Sequence, residues 1–265
     1  MHLGHAYAAL FAWSEAKRRH GHFLLRIEDI DQGRTREVFE SAIYEDLAWL
    51  GLDWETPVRR QSEHMEDYAA ALTRLDELGV IYPCFCSRRE IRAEVKRAGE
   101  APHGLDGVIY PGTCRSLSYE ARRQGILMGR PHAWRLEIAR ALKITGPLEW
   151  SDRAAGQQAA DVLTAGDIVV ARKDVPTSYH LAVTVDDGIQ GVTLVTRGDD
   201  LFHATAIHRL LQALLDIPAP TWHHHSLITD SSGARLAKRN RATTLRSLRR
   251  AGKTPAELRA MVGFA

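Results

Sequence analysis

Apolar and polar positions repeat with two different periods along this chain, and the switches between them mark its elements. Ala6 to Arg19 is rich in Ala, Leu and aromatic residues and turns basic at its end, which predicts a helix whose dipole favours those late cations. His20-Gly21-His22 predicts its stop. Phe23 to Ile27, apolar except for Arg26, predicts a short buried strand from which Glu28 emerges. Thr35 to Leu50 and Ser62 to Leu78 read as helices closed by Gly51 and Gly79. Ser87 with Glu90 forms a capping box that predicts another helix, since hydroxyl and carboxylate each satisfy a free amide of the first turn. Strands are predicted at His132 to Ile138, Asp167 to Ala171, Tyr179 to Val185, Gly191 to Thr196 and Trp222 to Ile228. A helix is predicted from Asp199 to Leu215, capped by Asp199 or Asp200. A last one starts at Thr254, with Pro255 first and Glu257 closing the box. Strands interleaved with helices predict an α/β core rather than a bundle.

Composition adds boundaries to this picture. Residues 83–131 hold all three cysteines, several glycines and one well-marked helix, so they read as an insertion with little core of its own. The expected division is 1–82, the first half of the core; 83–131, the insertion; 132–240, the second half; and 241–265, a short basic helical segment. The formal charge, 35 basic against 33 acidic residues or +2, excludes nothing. Its distribution is more informative. Arg235, Lys238, Arg239, Arg241, Arg246, Arg249, Arg250 and Lys253 follow one another with no acid between them, as on a polyanion-binding edge or a solvated face. An odd cysteine count argues against a secreted disulfide framework. No apolar run reaches the length of about 18 residues that a membrane span needs. Lys17, Arg18 and Arg19 follow the first apolar stretch instead of preceding it, the reverse of a signal peptide. A cytoplasmic protein with no membrane partner is expected.

Two separated motifs carry phosphate chemistry. His2-Leu3-Gly4-His5 opens a helix, where amide donors, a small residue and polar side chains can meet phosphoryl oxygens. Far along the chain, Gly233-Ala234-Arg235-Leu236-Ala237-Lys238-Arg239 is a Gly-led basic loop whose lysine could neutralise charge on a departing pyrophosphate. Together they resemble the paired ATP signatures of class I aminoacyl-tRNA synthetases, although Ala237 stands where a serine is usual and Arg235 replaces the first lysine. The runs "LLRIEDID" (Leu24 to Asp31), "YHLAVTVDD" (Tyr179 to Asp187), "GVTLVTRGDDL" (Gly191 to Leu201) and "GARLAKRN" (Gly233 to Asn240) resemble the catalytic domain of glutamyl-tRNA synthetases over nearly the whole chain. The sequence as given reaches one predicted short helix beyond its lysine loop, which leads to the expectation of a form without the helical anticodon-binding region of the full-length enzymes. Cys84-Phe85-Cys86 with Tyr110-Pro111-Gly112-Thr113-Cys114 is similar to the truncated paralogues that attach glutamate to queuosine in the anticodon of tRNA(Asp).

The resemblance implies a Rossmann-like class I catalytic domain, nucleotide-binding, with a small zinc-binding insertion. ATP, arriving with Mg2+, would meet His2, Gly4, His5 and Lys238; His2, His5 and Lys238 would be catalytic; and Glu28, Tyr179 and Arg197 would bind glutamate. Three thiolates from Cys84, Cys86 and Cys114 with a fourth ligand would make a closed structural zinc site. The fourth is Tyr110, whose spacing the resemblance includes, or His103 nearby. His223-His224-His225 is read as neutral histidines of a strand, with no acid or cysteine near to complete a metal set. Asp186-Asp187 is read as a strand end or turn. The implied partners are glutamate, ATP and queuosine-bearing tRNA(Asp), acting on a monomer. The alternatives are a shortened glutamyl-tRNA synthetase charging tRNA(Glu) and an RNA-binding pseudoenzyme. In the resembling family a strand reading Arg-Phe-Ala-Pro-Ser-Pro-(Thr/Ser/Asn)-Gly precedes the first motif, whereas here Met1 abuts His2. The expectation is that the polypeptide as written is poorly stable and a weak activator, a mis-assigned start codon being the leading explanation.

Overall fold

The structure, a computed structural model, describes residues 1–31, 37–97, 103–104, 107–229 and 244–264. In chain order, α1 (Leu3–Lys17) is followed by β1 (Arg26–Ile27), α2 (Glu37–Trp49), β2 (Arg59–Arg60), α3 (Met65–Glu77) and β3 (Ile81–Cys84). Next come α4 (Arg88–Arg97), the short strands β4 (His103–Gly104) and β5 (Gly107–Val108), α5 (Tyr119–Leu127) and β6 (Ala133–Leu136). Then α6 (Ile138–Thr145) leads to β7 (Glu149–Asp152), β8 (Gly156–Ala159) and β9 (Ile168–Ala171). They are followed by α7 (Tyr179–Ile189), β10 (Leu194–Gly198), α8 (Ala204–Leu214), β11 (Thr221–His225), α9 (Leu245–Arg250) and α10 (Pro255–Met261). The chain forms two compact units, one of Met1–Glu63, Leu194–Phe202 and Trp222–Ala265, the other of His64–Thr193 and His203–Thr221.

The first unit is organised around α1. Ala6 and Leu10 on its buried face join Leu47, Leu50 and Leu52 from α2 and beyond, and Leu245, Leu258 and Val262 from α9 and α10. The last two helices are therefore core elements. Each opens on a threonine cap: Thr244 accepts from the Ser247 N–H, and Thr254 exchanges bonds with Glu257 in the predicted box. Strand β1 pairs in parallel with β2, Arg26 opposite Arg59 and Ile27 opposite Arg60. Directly after β1, buried Asp29 accepts from the Ser62 N–H at 2.8 Å and the Ser62 hydroxyl at 2.6 Å, tying the two segments together. Strand β10 lies beside β11 and against α1.

In the second unit β3, β6 and β9 form an antiparallel sheet in that order, with Ile81 opposite Leu136 and Cys84 opposite Ala133. Strands β7 and β8 make a hairpin, while α7 packs against α8. Asp186, fully buried on α7, accepts the Tyr68 hydroxyl at 3.0 and 3.1 Å. It is a helical acceptor in the core, not a strand end.

Several predicted elements change on inspection. Tyr179 to Val185 is helix α7, started by the Ser178 hydroxyl accepting from the Leu181 N–H at 3.3 Å. Residues Leu181 to Asp186 are all buried, and a helix covered all round offers no period to separate it from a buried strand. The strand from His132 stops at Leu136 because α6 begins at Ile138; neither α6 nor the β7–β8 hairpin was expected. Asp199–Leu201 forms a single 3-10 turn, and α8 starts only at Ala204 with His203 in the cap position. The strand expected from Phe23 contracts to Arg26–Ile27.

Candidate active site and metal centre

The start of α1 is built by its own two histidines. His2 is the N-cap, and its Nδ1 accepts the Gly4 N–H at 3.1 Å; the His2 N–H in turn reaches His5 Nδ1 at 3.4 Å. This is a capping box in which imidazoles replace hydroxyl and carboxylate. The two rings stack with centroids 3.6 Å apart. A backbone N–H can only donate, so each Nδ1 must be a bare acceptor, which leaves the proton on Nε2. Both rings are held neutral. His2 is shifted below its ordinary value, first by burial; His5 is lowered to about 4 by burial, then by its neighbour His2 and the terminal ammonium. The helix start therefore offers neutral Nε2–H donors beside its free amides, a combination suited to a phosphate. A side chain at Gly4 would put its Cβ 3.1 Å from His2 Cε1, so the His2 ring would have to give by a few tenths of an ångström to admit one.

Of the glutamate-binding candidates, Glu28 and Arg197 belong to the first unit and Tyr179 to the second. Glu28 is half exposed just after β1, with its Oε1 3.7 Å from Arg26 Nε. Arg197 sits on β10, and its Nε donates to His224 Nε2 on β11 at 3.2 Å. Tyr179 is the first residue of α7 and lies edge-on to His180 and His208. Lys238 and the rest of its loop lie outside the described residues. On either side of that segment, Ile228 packs on the core containing Ala6, and Thr244 forms an antiparallel bridge with His2.

An acid does lie beside the triple histidine, His223 Nδ1 being 3.5 Å from buried Glu15, which Arg18 and Arg19 also approach, but among the described residues these histidines join no group of three side chains placed to hold a metal. His224 meets Arg197, and His225 packs edge-on against Tyr7 and tilted against Phe11. The contact of His224 with Arg197 was missed from sequence; its only signal was a histidine in a strand that follows the Thr-Arg-Gly-Asp-Asp run. The basic segment is also less bare than it reads. Arg246 and Arg249 pair with Glu45, and Lys253 with Glu257.

In the second unit Cys84, Cys86 and Cys114 bring their three sulfurs within 4.8 Å of one another, and none forms a disulfide. Cys86 Sγ and Cys114 Sγ are 3.4 Å apart, close to the separation of about 3.8 Å that two thiolates take around tetrahedral zinc. The Phe85 N–H points at Cys114 Sγ from 3.4 Å, as a donor supporting a thiolate does. Burial raises the Cys114 thiol, but hydrogen bonds from Tyr110 and the Phe85 amide outweigh it and the net shift is downward. Burial drives Cys86 up to about 11. Tyr110 Oη accepts the Cys114 N–H at 2.8 Å and stands 3.7 Å from Cys86 Sγ, with the Arg135 guanidinium over its ring. Burial holds this phenol above its usual value, so an adjacent cation would be needed to ionise it. Three thiols and one phenol oxygen thus form a donor set that fits a structural zinc. The side chain of His103 lies outside the described residues. The insertion has a small core after all, and the cysteines are part of it, with Tyr82, Phe85, Tyr110, Ile91 and Leu117 around them.

A helix opened by His-x-Gly-His, an α/β core and a three-cysteine insertion define a class. The family of class I tRNA synthetases (E and Q), catalytic domain, matches residues 1–264, and the chain belongs to it, which makes it a member of a ligase family. Among particular relatives, the glutamyl-Q tRNA(Asp) synthetase of Rhodobacter capsulatus is 44% identical, over 100% of this chain and 96% of its own length. The glutamyl-Q tRNA(Asp) synthetase of Nocardia farcinica is 42% identical over 99% of this chain and 79% of its own. The crystal structure of glutamate-tRNA synthetase from Elizabethkingia anophelis matches with a TM-score of 0.77 at 26% identity, covering 96% of this chain. This chain spans 52% of that longer one. The class I catalytic fold expected from the motifs is the fold of this protein. Among the described residues, no helix is long and apolar enough to cross a membrane.

Proposed function

We propose that this chain activates glutamate with ATP and transfers the glutamyl group to queuosine in the anticodon of tRNA(Asp). The observation that carries the reading is likeness over the whole chain to relatives bearing that name, on a scaffold whose first helix opens with two neutral imidazole donors. In the first step a glutamate carboxylate oxygen attacks the α-phosphorus of ATP, the bond to the β-phosphate oxygen breaks, and pyrophosphate leaves. Negative charge builds on the phosphoryl oxygens, where the Nε2–H groups of His2 and His5 can donate without carrying a charge of their own. Gly4 leaves room for the approach. Lys238 would neutralise the departing pyrophosphate. Glu28 would receive the substrate ammonium, Arg197 a carboxylate through its two-pronged end, and Tyr179 would contribute its hydroxyl. In the second step a hydroxyl of the queuosine cyclopentene-diol attacks the acyl carbon and AMP leaves.

Mg2+ belongs to the ATP substrate. A zinc held by Cys84, Cys86, Cys114 and Tyr110 would supply structure to residues 83–131 and no step of the reaction. The basic residues between Arg235 and Lys253 would meet tRNA phosphates, so transfer should weaken as salt rises. This reading places the protein in the cytoplasm, where its tRNA is. The test is pyrophosphate exchange, expected to depend on glutamate, followed by glutamate transfer to tRNA(Asp) with and without queuosine. The matching solved structures, glutamate-tRNA synthetases, favour a second reading in which the acceptor is the 3′ end of tRNA(Glu). Labelling of queuosine-free tRNA(Glu) would select it. Absence of any exchange would select an RNA-binding pseudoenzyme.

A further inference from the structure

His224 lies between two residues of one short run, Arg197 and Phe202, that closes on it from two directions. Arg197 Nε donates to His224 Nε2 at 3.2 Å, and the Phe202 ring packs on the imidazole with centroids 4.8 Å apart. In the turn linking the two, Gly198 lets the Asp200 and Leu227 side chains pack close, since a Cβ there would come within 2.6 Å of Asp200 Oδ1 and 2.7 Å of Leu227 Cδ2. The 3-10 turn Asp199–Leu201 then brings Phe202 onto the ring. His224 itself is only 7% exposed, on a strand adjacent to that of Arg197.

A guanidinium has no acceptor, so Nε2 of His224 must receive this bond and the ring must be neutral, with its proton on Nδ1. The guanidinium is planar. Fixing its Nε against a ring that is itself clamped fixes the plane and the direction of its two terminal nitrogens. We infer that His224 is a positioning residue for Arg197, setting the aim of the guanidinium that receives a substrate carboxylate and so setting affinity for the acidic substrate. This rests on the proposed role of Arg197. It adds a residue that touches neither substrate, and it absorbs one of the three consecutive histidines into the site.

The test separates the hydrogen bond from the packing. His224→Phe keeps an aromatic ring against Phe202 but removes the acceptor; His224→Gln keeps an acceptor for Nε but removes the ring. Glutamate-dependent pyrophosphate exchange is measured for both and for the unmodified chain, with thermal unfolding recorded in parallel. The expected result is a KM for glutamate raised about tenfold in His224→Phe, with the KM for ATP within about twofold, kcat largely kept and thermal midpoint near that of the parent. His224→Gln should recover most of the lost affinity even where it is the less stable protein. Wild-type KM for glutamate in His224→Phe, or equal loss in the two variants, would overturn the inference while leaving the ligase reading intact. An unmodified chain with no glutamate-dependent exchange would instead remove the reading on which it rests.

Discussion

A proton added to His5 would displace the bond that joins the two ends of the first motif. Its Nδ1 is already occupied by the His2 N–H, and its pKa is lowered to about 4 from the usual 6.5. The unfolded chain therefore binds the extra proton more readily, and His5 lowers folding stability as pH falls from about 6.5 towards 4, with no further change below. In His5→Gln that component vanishes. Urea unfolding at several pH values should show the parent losing more stability than the variant across this window, and parallel curves would contradict a neutral His5. Gly4 makes a second prediction at this scale, with stability and activity moving in opposite directions. Alanine is the better helix former by about 1 kcal/mol, so Gly4→Ala should keep or raise the thermal midpoint. Its Cβ, however, presses on the His2 ring at 3.1 Å, and kcat/KM for ATP should fall about tenfold. Unchanged kinetics would mean that the ring position does not matter.

Helices α9 and α10 extend this logic from residues to elements. Leu258 of α10 is fully buried against α1 and α2 residues, so Leu258→Ala should destabilise the protein by about 2–5 kcal/mol in denaturant unfolding. A loss below about 1 kcal/mol would show the last helix to be an appendage. That helix was legible in the sequence because its signals are local: Thr254, Pro255 and Glu257 specify a start whatever surrounds them. The same is true of Ser87 and Glu90, which exchange bonds at 2.6 and 3.2 Å. Where burial is complete, local signals fail. The run Leu181 to Asp186 is covered on every side, with Thr184 and Asp186 as buried as its apolar residues, so no period separates helix from strand, and only the cap Ser178 marked a helix. The β7–β8 hairpin was hidden for the opposite reason, since its positions are mostly polar and exposed.

For the whole molecule, legibility depended on residue type rather than on distance along the chain, since Cys86 and Cys114 are 28 residues apart and Arg197 and His224 are 27. The three cysteines could be grouped because they share one metal-binding chemistry and match the pattern of the resembling family, and the fold brings their sulfurs within 4.8 Å. The pairing of Arg197 with His224, 27 residues apart, needed the adjacency of β10 and β11 and could not be read from either strand. Metal removal tests the first of these. Because the cysteines form part of the insertion's small core, purified protein should carry about one zinc per chain, and a strong chelator should lower its thermal midpoint by several degrees. The double variant Cys84→Ser/Cys86→Ser should start from that lowered value and ignore chelation. Metal-free protein of unchanged stability would contradict a structural zinc. The central claim is transfer of glutamate to a modified anticodon, and its most direct test is labelled glutamate, ATP and tRNA(Asp) prepared with and without queuosine. The account predicts label on the queuosine-bearing tRNA alone. Equal labelling of both, or label on tRNA(Glu) instead, would contradict it.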